Sequence, residues 1–267
     1  MCGRIVRVQG DFPGDFDDAR RSGSSGPDLA AVLEQFSDRF NIAPTQLDVM
    51  IRPTPPAAGA APTAADIEEL EPGEQDRIVP QGTRQAVPSV WGLIPGWARD
   101  RTMAGKTFNA RSETLMEKPS FRGLVARHRC IIPVSGFYEW SGTGKSKQPR
   151  YFHRADGRPL ALAGLWTTWR DPTTGEAVTS HTIITTQANG MIAAYHQRMP
   201  VVLDDAGVAL WLDPTVTDPG VVLPLLAPAP DDLLTAHRVS DEVNNARNDG
   251  PQLILPLDGD EPSAPDN

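Results

Sequence analysis

Cys2 is the first residue whose chemistry stands out, because of where it sits. Methionine is normally removed before a small second residue, so the start MCGR predicts a free N-terminal cysteine with an α-amine and a thiol on adjacent carbons. The amine has a reference pKa of about 7.7–8.0, which leaves a useful unprotonated fraction near neutral pH. The thiol titrates near about 8.5 and is the stronger nucleophile once ionised. Together they suit an aldehyde. The amine condenses to a Schiff base, and the thiol adds to the imine carbon to close a five-membered thiazolidine. Gly3 and Arg4 follow, a flexible residue and then a cation able to hold a phosphate beside the amine. Without those neighbours, Cys2 reads as a chance cysteine near a frayed end.

Other segments offer partners for that pair. Glu139 is one acid in an aromatic run, VSGFYEW, where desolvation would raise its pKa toward proton-transfer use. The competing reading is a glutamate on the solvent face of an edge strand. His196, in YHQRMP beside Arg198, can shuttle protons near neutral pH or can be a surface loop histidine. Asn109 and Arg111 lie in FNARSET. Asn109 combines a donor and an acceptor and Arg111 offers a fork for phosphate, while the structural reading of Asn109 is a turn or helix cap. Trp91 and Trp97 bracket WGLIPGW in a basic stretch, where they can stack bases or plug a core edge. Cys130, in the apolar run RCIIPV, reads as a buried structural thiol. His128, His153, His181 and His237 lack comparable context, and no His/Cys pair has zinc spacing, so neither a metal nor a cofactor is expected. There is no phosphate-binding Gly loop, dinucleotide fingerprint or nucleophile elbow.

Composition bounds the class of protein. The 267 residues are 39% hydrophobic and 22% charged, which suits a soluble globular chain with a sizeable core. No run approaches the ~18–20 apolar residues of a membrane span, and the start lacks the apolar core of a secretory signal. Two cysteines cannot build a disulfide scaffold, so reduced thiols in the cytoplasm are expected. Net charge is −9, which alone argues against nucleic acid. Its distribution argues otherwise. Residues 91–170 hold fourteen Lys/Arg against five Asp/Glu, a balance of +9, which leaves −18 for the rest. Such asymmetry reads either as a solvated basic face or as a phosphate-tracking groove in an acidic protein.

The elements that must position these residues are mostly strands. Runs at 129–134, 159–169, 178–185 and 199–203 are β-branched, aromatic or apolar and bounded by turn formers. Residues 205–212 predict a short helix capped by Asp204 or Asp205. Asp28 can cap a helix whose Leu29, Val32, Leu33 and Phe36 share a face. Helical patterns between strands are too few for regular βαβ alternation. The expected fold is α+β: one compact domain over residues 1–257, dominated by antiparallel β-strands with a few short helices. Loop insertions are expected at about 8–28 and 53–83, the second Pro/Ala-rich and then acidic, and a disordered acidic tail at 258–267.

Seven motifs occur in one order: MCGR, FNIAP at 40–44, WGLIPGW, FNARSET, SGFYEW, YHQRMP and VNNARNDG at 243–250. The set resembles the SOS-response-associated peptidase (SRAP) family over nearly the whole chain apart from the insertions and the tail. The resemblance implies a protein of the DNA damage response that recognises abasic sites in single-stranded DNA and crosslinks to them through a thiazolidine on Cys2, which shields the lesion. It implies catalytic roles for Cys2, for Asn109 as the residue positioning it, for Glu139, and for His196 in opening the sugar ring. It implies DNA contacts by Arg4, Pro44, Trp97 and Arg111, to which Arg122 of the basic segment and Arg198 beside His196 are added. Ala98 stands where some members carry a second aromatic after Trp97, which removes one stacking platform. The expected protein is a monomer without cofactor or membrane contact, cytoplasmic and at the nucleoid when bound to DNA. Two other readings stand beside it. One is a cysteine-type peptidase that removes Met1 or cleaves other peptides. The other is a non-covalent single-strand binder.

Overall fold

The first residues of a domain are poorly ordered unless they are tied down, and here a sheet ties them down. In a computed structural model that describes residues 2–8, 37–54, 84–142 and 147–259, β1 (Ile5–Arg7) lies inside a five-stranded antiparallel sheet. Its neighbours are β2 (Arg39–Ile42) and β7 (Gly136–Ser141). Beyond β7 come β8 (Gln148–Arg154) and β13 (Leu234–Arg238). The expected helix over 29–36, nearly all of the two expected insertions and most of the tail lie outside the described residues.

The remaining strands build a second, barrel-like sheet. β3 (Leu47–Pro53), β4 (Arg84–Trp91), β6 (Arg129–Val134), β9 (Leu160–Arg170) and β10 (Ala177–Gln187) form a closed ring in the order β10-β4-β3-β6-β9, with β9 returning to β10. β5 (Asn109–Arg111) continues along the β10 edge beyond the end of β4, while β11 (Arg198–Pro200) and β12 (Val202–Leu203) attach to β10 and β9. Most pairs are antiparallel, but β10 runs parallel to both β4 and β5.

Both faces of the ring are covered, which is why its strands are near-continuous apolar runs rather than simple alternations. Met50, Cys130, Ile132, Leu162 and Ile183 pack with Ile5, Phe137 and Phe152 of the five-stranded sheet. The neighbouring residues Val49, Ile51, Ile131, Ala163 and Ile184 pack instead with Leu115, Phe121, Val125 and Trp211. The expected strands at 129–134, 159–169 and 178–185 appear as β6, β9 and β10. The run 199–203 divides around Val201, whose N–H donates to Ile184 O (2.9 Å) and whose carbonyl accepts from Ala163 N–H (2.9 Å). α1 (Gly190–Ala193) is capped by Asn189, and α2 (Asp205–Trp211) is the expected short helix. Its cap is Asp204, whose carboxylate accepts from Gly207 N–H at 2.7 Å. α3 (Pro219–Val222) follows Asp218.

Two features hold β1 in place. Gly136 of β7 has no room for a Cβ, which would meet Phe152 O at 2.3 Å and the Tyr151 ring at 2.6 Å, so β7 and β8 pack closely there. Arg7 of β1 reaches the other sheet and donates from Nε to Asp48 Oδ1 of β3 at 3.0 Å, with both side chains buried. Asp48→Ala leaves the Arg7 charge buried without this carboxylate and should cost about 3–5 kcal/mol, whereas Arg7→Met/Asp48→Leu should recover most of that loss. Urea unfolding of the three proteins measures both values; equal loss in the single and double variants would refute the account.

Candidate active site

The pairing of β1 with β7 carries the start of the chain to the middle of the sheet. Ile5 faces Phe137 and Val6 faces Gly136, and Tyr138 N–H donates to Arg4 O at 3.0 Å. Extended by two residues, this register puts Gly3 opposite Glu139 and Cys2 just beyond. Cys2 is fully buried against Met50, Trp91 and Ile183. Asn109 holds its backbone, donating from Nδ2 to Cys2 O at 2.6 Å. Asn109 is itself placed by β5, which pairs it with Ile183 of β10. Its Oδ1 is buried and has no hydrogen-bond partner among the described residues, an acceptor left open next to Cys2.

Glu139 lies on a central strand and is 2% exposed, so it is not on the solvent face of an edge strand. Burial pushes its carboxyl above the ordinary carboxylate range, and the charges of the chain's amino terminus and of His196 oppose this. Burial also pushes the Cys2 thiol up, and the charge of Glu139 adds to the effect. The thiol is therefore protonated at neutral pH. A reaction at its sulfur needs a base, more so than for a thiol with the ordinary value of about 8.5.

His196 follows α1. Its Nδ1 lies 3.0 Å from Arg198 N and 3.1 Å from Arg198 O, so the backbone of Arg198 holds the ring in place. The four residues expected to be catalytic, Cys2, Asn109, Glu139 and His196, thus come from the segment before β1, from β5, from β7 and from the α1–β11 connection. Cys130 is fully buried as expected. His181 is also buried, bonded through Nδ1 to Ser89 Oγ (2.7 Å), and pulled down to about 3 by burial, so it stays neutral. Among the described residues no group of three or more His, Cys, Asp or Glu is placed to hold a metal ion.

The expected DNA-contacting residues divide into two sets. Trp97 is 62% exposed in the loop after β4. Pro44 is half-buried in the β2–β3 turn, where Thr45 has φ 74° and donates its N–H to Trp91 O at 2.7 Å. Arg111 and Arg122 are exposed. Arg4 and Arg198 are already engaged. Arg4 donates to Asn41 Oδ1 (2.9 Å) and to the carbonyls of Val243 (2.7 Å) and Asn244 (3.3 Å). Arg198 forks onto Glu113 (3.1 and 2.9 Å) and donates to Thr185 O (2.7 Å). Ala98 is buried, and its carbonyl accepts from Trp169 Nε1 at 2.8 Å.

The basic segment divides in the same way. Arg129 is buried and donates to five carbonyls, those of Trp211, Val125, Ala126, Asp213 and Val216. Arg101 pairs with Glu176, and Arg154 and Arg158 share Asp156. Arg99, Lys106, Arg111, Lys118, Arg122 and Arg127 stand exposed. Sequence reading passed over Arg150 and Tyr195, whose side chains meet with the guanidinium 4.8 Å from the ring centroid. The register of the consecutive strands β7 and β8 brings Arg150 beside the site by pairing it with Glu139.

The raised Glu139 carboxyl has a measurable consequence. Such a group stabilises the fold while protonated, and that contribution is lost as pH rises from the unfolded value, about 4.3, through the higher folded one. Glu139→Gln should therefore gain stability relative to wild type as pH rises from about 4 to 8. Urea unfolding of both proteins across that range tests it, and a difference that is constant or reversed in sign would refute the raised carboxyl.

The comparisons agree with this architecture. A crystal structure of a protein from Bacteroides thetaiotaomicron superposes with a TM-score of 0.71 at 23% identity, covering 96% of this chain and 100% of that one, which shows the fold. One from Bordetella bronchiseptica gives a TM-score of 0.62 at 27% identity, covering 90% and 100%. The chain is 44% identical over 165 residues to abasic site processing protein YoqW of Bacillus subtilis (strain 168), 61% of this chain and 73% of that protein. It is 34% identical over 191 residues to abasic site processing protein HMCES of Gallus gallus, 63% of this chain and 56% of that protein. The model of the family described as SOS response associated peptidase (SRAP) matches residues 1–246. The chain belongs to the SRAP family.

Proposed function

We propose that this protein processes abasic sites in single-stranded DNA by joining the open-chain sugar aldehyde to Cys2 as a thiazolidine. The observation that carries the reading is the Asn109–Cys2 contact. One amide nitrogen fixes the Cys2 carbonyl at 2.6 Å and the amide oxygen remains an unused buried acceptor beside it. Removal of Met1 turns the Cys2 nitrogen into an amine at that position. The names of the relatives YoqW and HMCES supply the substrate class.

The chemistry balances with the groups in the pocket. The amine attacks the aldehyde carbon to give a carbinolamine. Glu139, whose carboxyl burial pushes up toward the protonated form, gives a proton to the departing hydroxyl, and water leaves as the protonated imine forms. The carboxylate so produced takes the proton of the Cys2 thiol. The nitrogen of the protonated imine keeps the amine's remaining proton, so the sulfur anion adds to its carbon and the ring closes as a neutral amine, with Glu139 protonated again and the net loss of one water. A shared proton on Glu139 thus serves both steps, which suits a thiol that burial keeps from ionising alone. His196 exchanges protons with the sugar oxygens and favours the open aldehyde. Trp97 and Pro44 flank the lesion, and Arg111 and Arg122 hold phosphates. The site of action is DNA in the cytoplasm, with the protein acting as a monomer.

An abasic single-stranded oligonucleotide should give a protein–DNA band that survives denaturation, and intact mass should show the loss of Met1. Cys2→Ala should abolish the band. Cys2→Ser keeps the amine and should give an adduct only after borohydride trapping of the imine. Crosslinking by Cys2→Ala at the wild-type level would overturn the mechanism. Retention of Met1 in Glu139→Ala, or turnover of an added peptide, would favour the peptidase reading. Salt-sensitive binding indifferent to the lesion and to Cys2 would favour a passive binder.

A further inference from the structure

The face of β7 that carries Glu139 continues across two more strands. Directly opposed residues on antiparallel strands project to the same face. Phe137 pairs with Phe152, which pairs with Ala236, and this apolar row packs against the ring. Two residues along each strand the row changes character. Glu139 pairs with Arg150, and Arg150 pairs with Arg238. The site carboxylate is therefore the first member of a line whose next two members are arginines, at strand spacings of about 4.8 Å.

Neither arginine belongs to the sealed interior, since both are half-buried. The Arg150 guanidinium lies over the ring of Tyr195, the residue before His196. That stacking holds the plane and leaves its edge N–H groups to meet an acceptor. Its Nε is buried and bonds to nothing among the described residues, a donor whose desolvation is uncompensated. A phosphate oxygen would compensate it. A phosphodiester close to the ionised form of Glu139 is repelled, and the adjacent cation offsets this.

We infer that Arg150 and Arg238 form a phosphate-binding track that leads from the Cys2–Glu139 pocket over β8 and β13 and takes successive phosphodiesters of the strand on one side of the lesion. The inference rests on reading the pocket as a site for single-stranded DNA. It gives the bound strand a direction, away from β1 and toward the β13 edge.

The test is the salt dependence of binding to a short unmodified single strand, followed by fluorescence anisotropy for wild type, Arg150→Gln/Arg238→Gln and Arg150→Lys/Arg238→Lys. Each phosphate contact contributes about 0.7 to the log–log slope on single strands, so two contacts make wild-type affinity fall about 7-fold more than that of the Gln pair between 50 and 200 mM salt. The Lys pair keeps the charges and should keep the wild-type slope. The single variant Arg238→Gln should show half the change, a readout that remains if the double variant does not fold. With the lesion at one end or the other of the oligonucleotide, the Gln pair should slow crosslinking at limiting DNA for one polarity only. A wild-type slope in the Gln variants, a Lys pair as impaired as the Gln pair, or equal slowing for both polarities would overturn the track. Failure of the wild-type protein itself to bind single strands or to crosslink would instead overturn the reading of the pocket.

Discussion

The site depends on one strand pairing. β1 has three residues, yet it sits between β2 and β7, and its register with β7 decides what stands beside the amino terminus. A shift by one residue would turn every side chain of β1 to the opposite face. Ile5 would leave the packing around Phe137, and Gly3 would no longer face Glu139. The buried Arg7–Asp48 pair resists such a shift, because a displaced β1 would strand two charges in the interior. Precision at Cys2 is thus inherited from contacts three to five residues away. This is how a segment at the start of the domain, ordinarily among the least ordered, is held in one place.

Burial then sets the chemistry. The same apolar surroundings push both the Cys2 thiol and the Glu139 carboxyl toward their neutral forms. In more polar surroundings the carboxyl would ionise at neutral pH and the thiol would do so in part. The overall charge of −9 hides a comparable division of labour. Some of the arginines of the basic segment hold the fold together, with Arg129 binding five carbonyls that would otherwise lack these donors. Others, such as Arg111 and Arg122, face solvent. Counting charge along a sequence cannot separate these uses, since both place arginines in the same stretch.

What the sequence made legible was local. β6 reads directly from RCIIPV, and the cap of α2 narrows to Asp204 or Asp205, of which Asp204 accepts from the N–H three residues ahead. The residues of the pocket were legible as motifs, with Cys2, Asn109, Glu139 and His196 each standing out by type and neighbours. What could not be read was which strands would be central. Glu139 had even claims to an edge or an interior until β8 and β1 closed on either side of it. The parallel pairing of β10 with β4 and β5 joins segments roughly 75–90 residues apart and leaves no mark in either. Arg198 looked like a free cation beside a histidine, and only the fold brings Glu113 and Thr185 to it.

The central position of β1 also sets an order of events during synthesis. Its partner β7 lies roughly 130 residues further along the chain. At translation rates of about 5–20 residues per second, about 7–26 s pass between the appearance of the first strand and that of the strand it must join. Throughout that interval the amino terminus is outside the fold and open to any enzyme that trims it. Once β7 arrives, the same residues are closed over. An outside enzyme would therefore reach residues 2–4 during synthesis, whereas the protein's own β7 side chains meet them only after the domain has assembled.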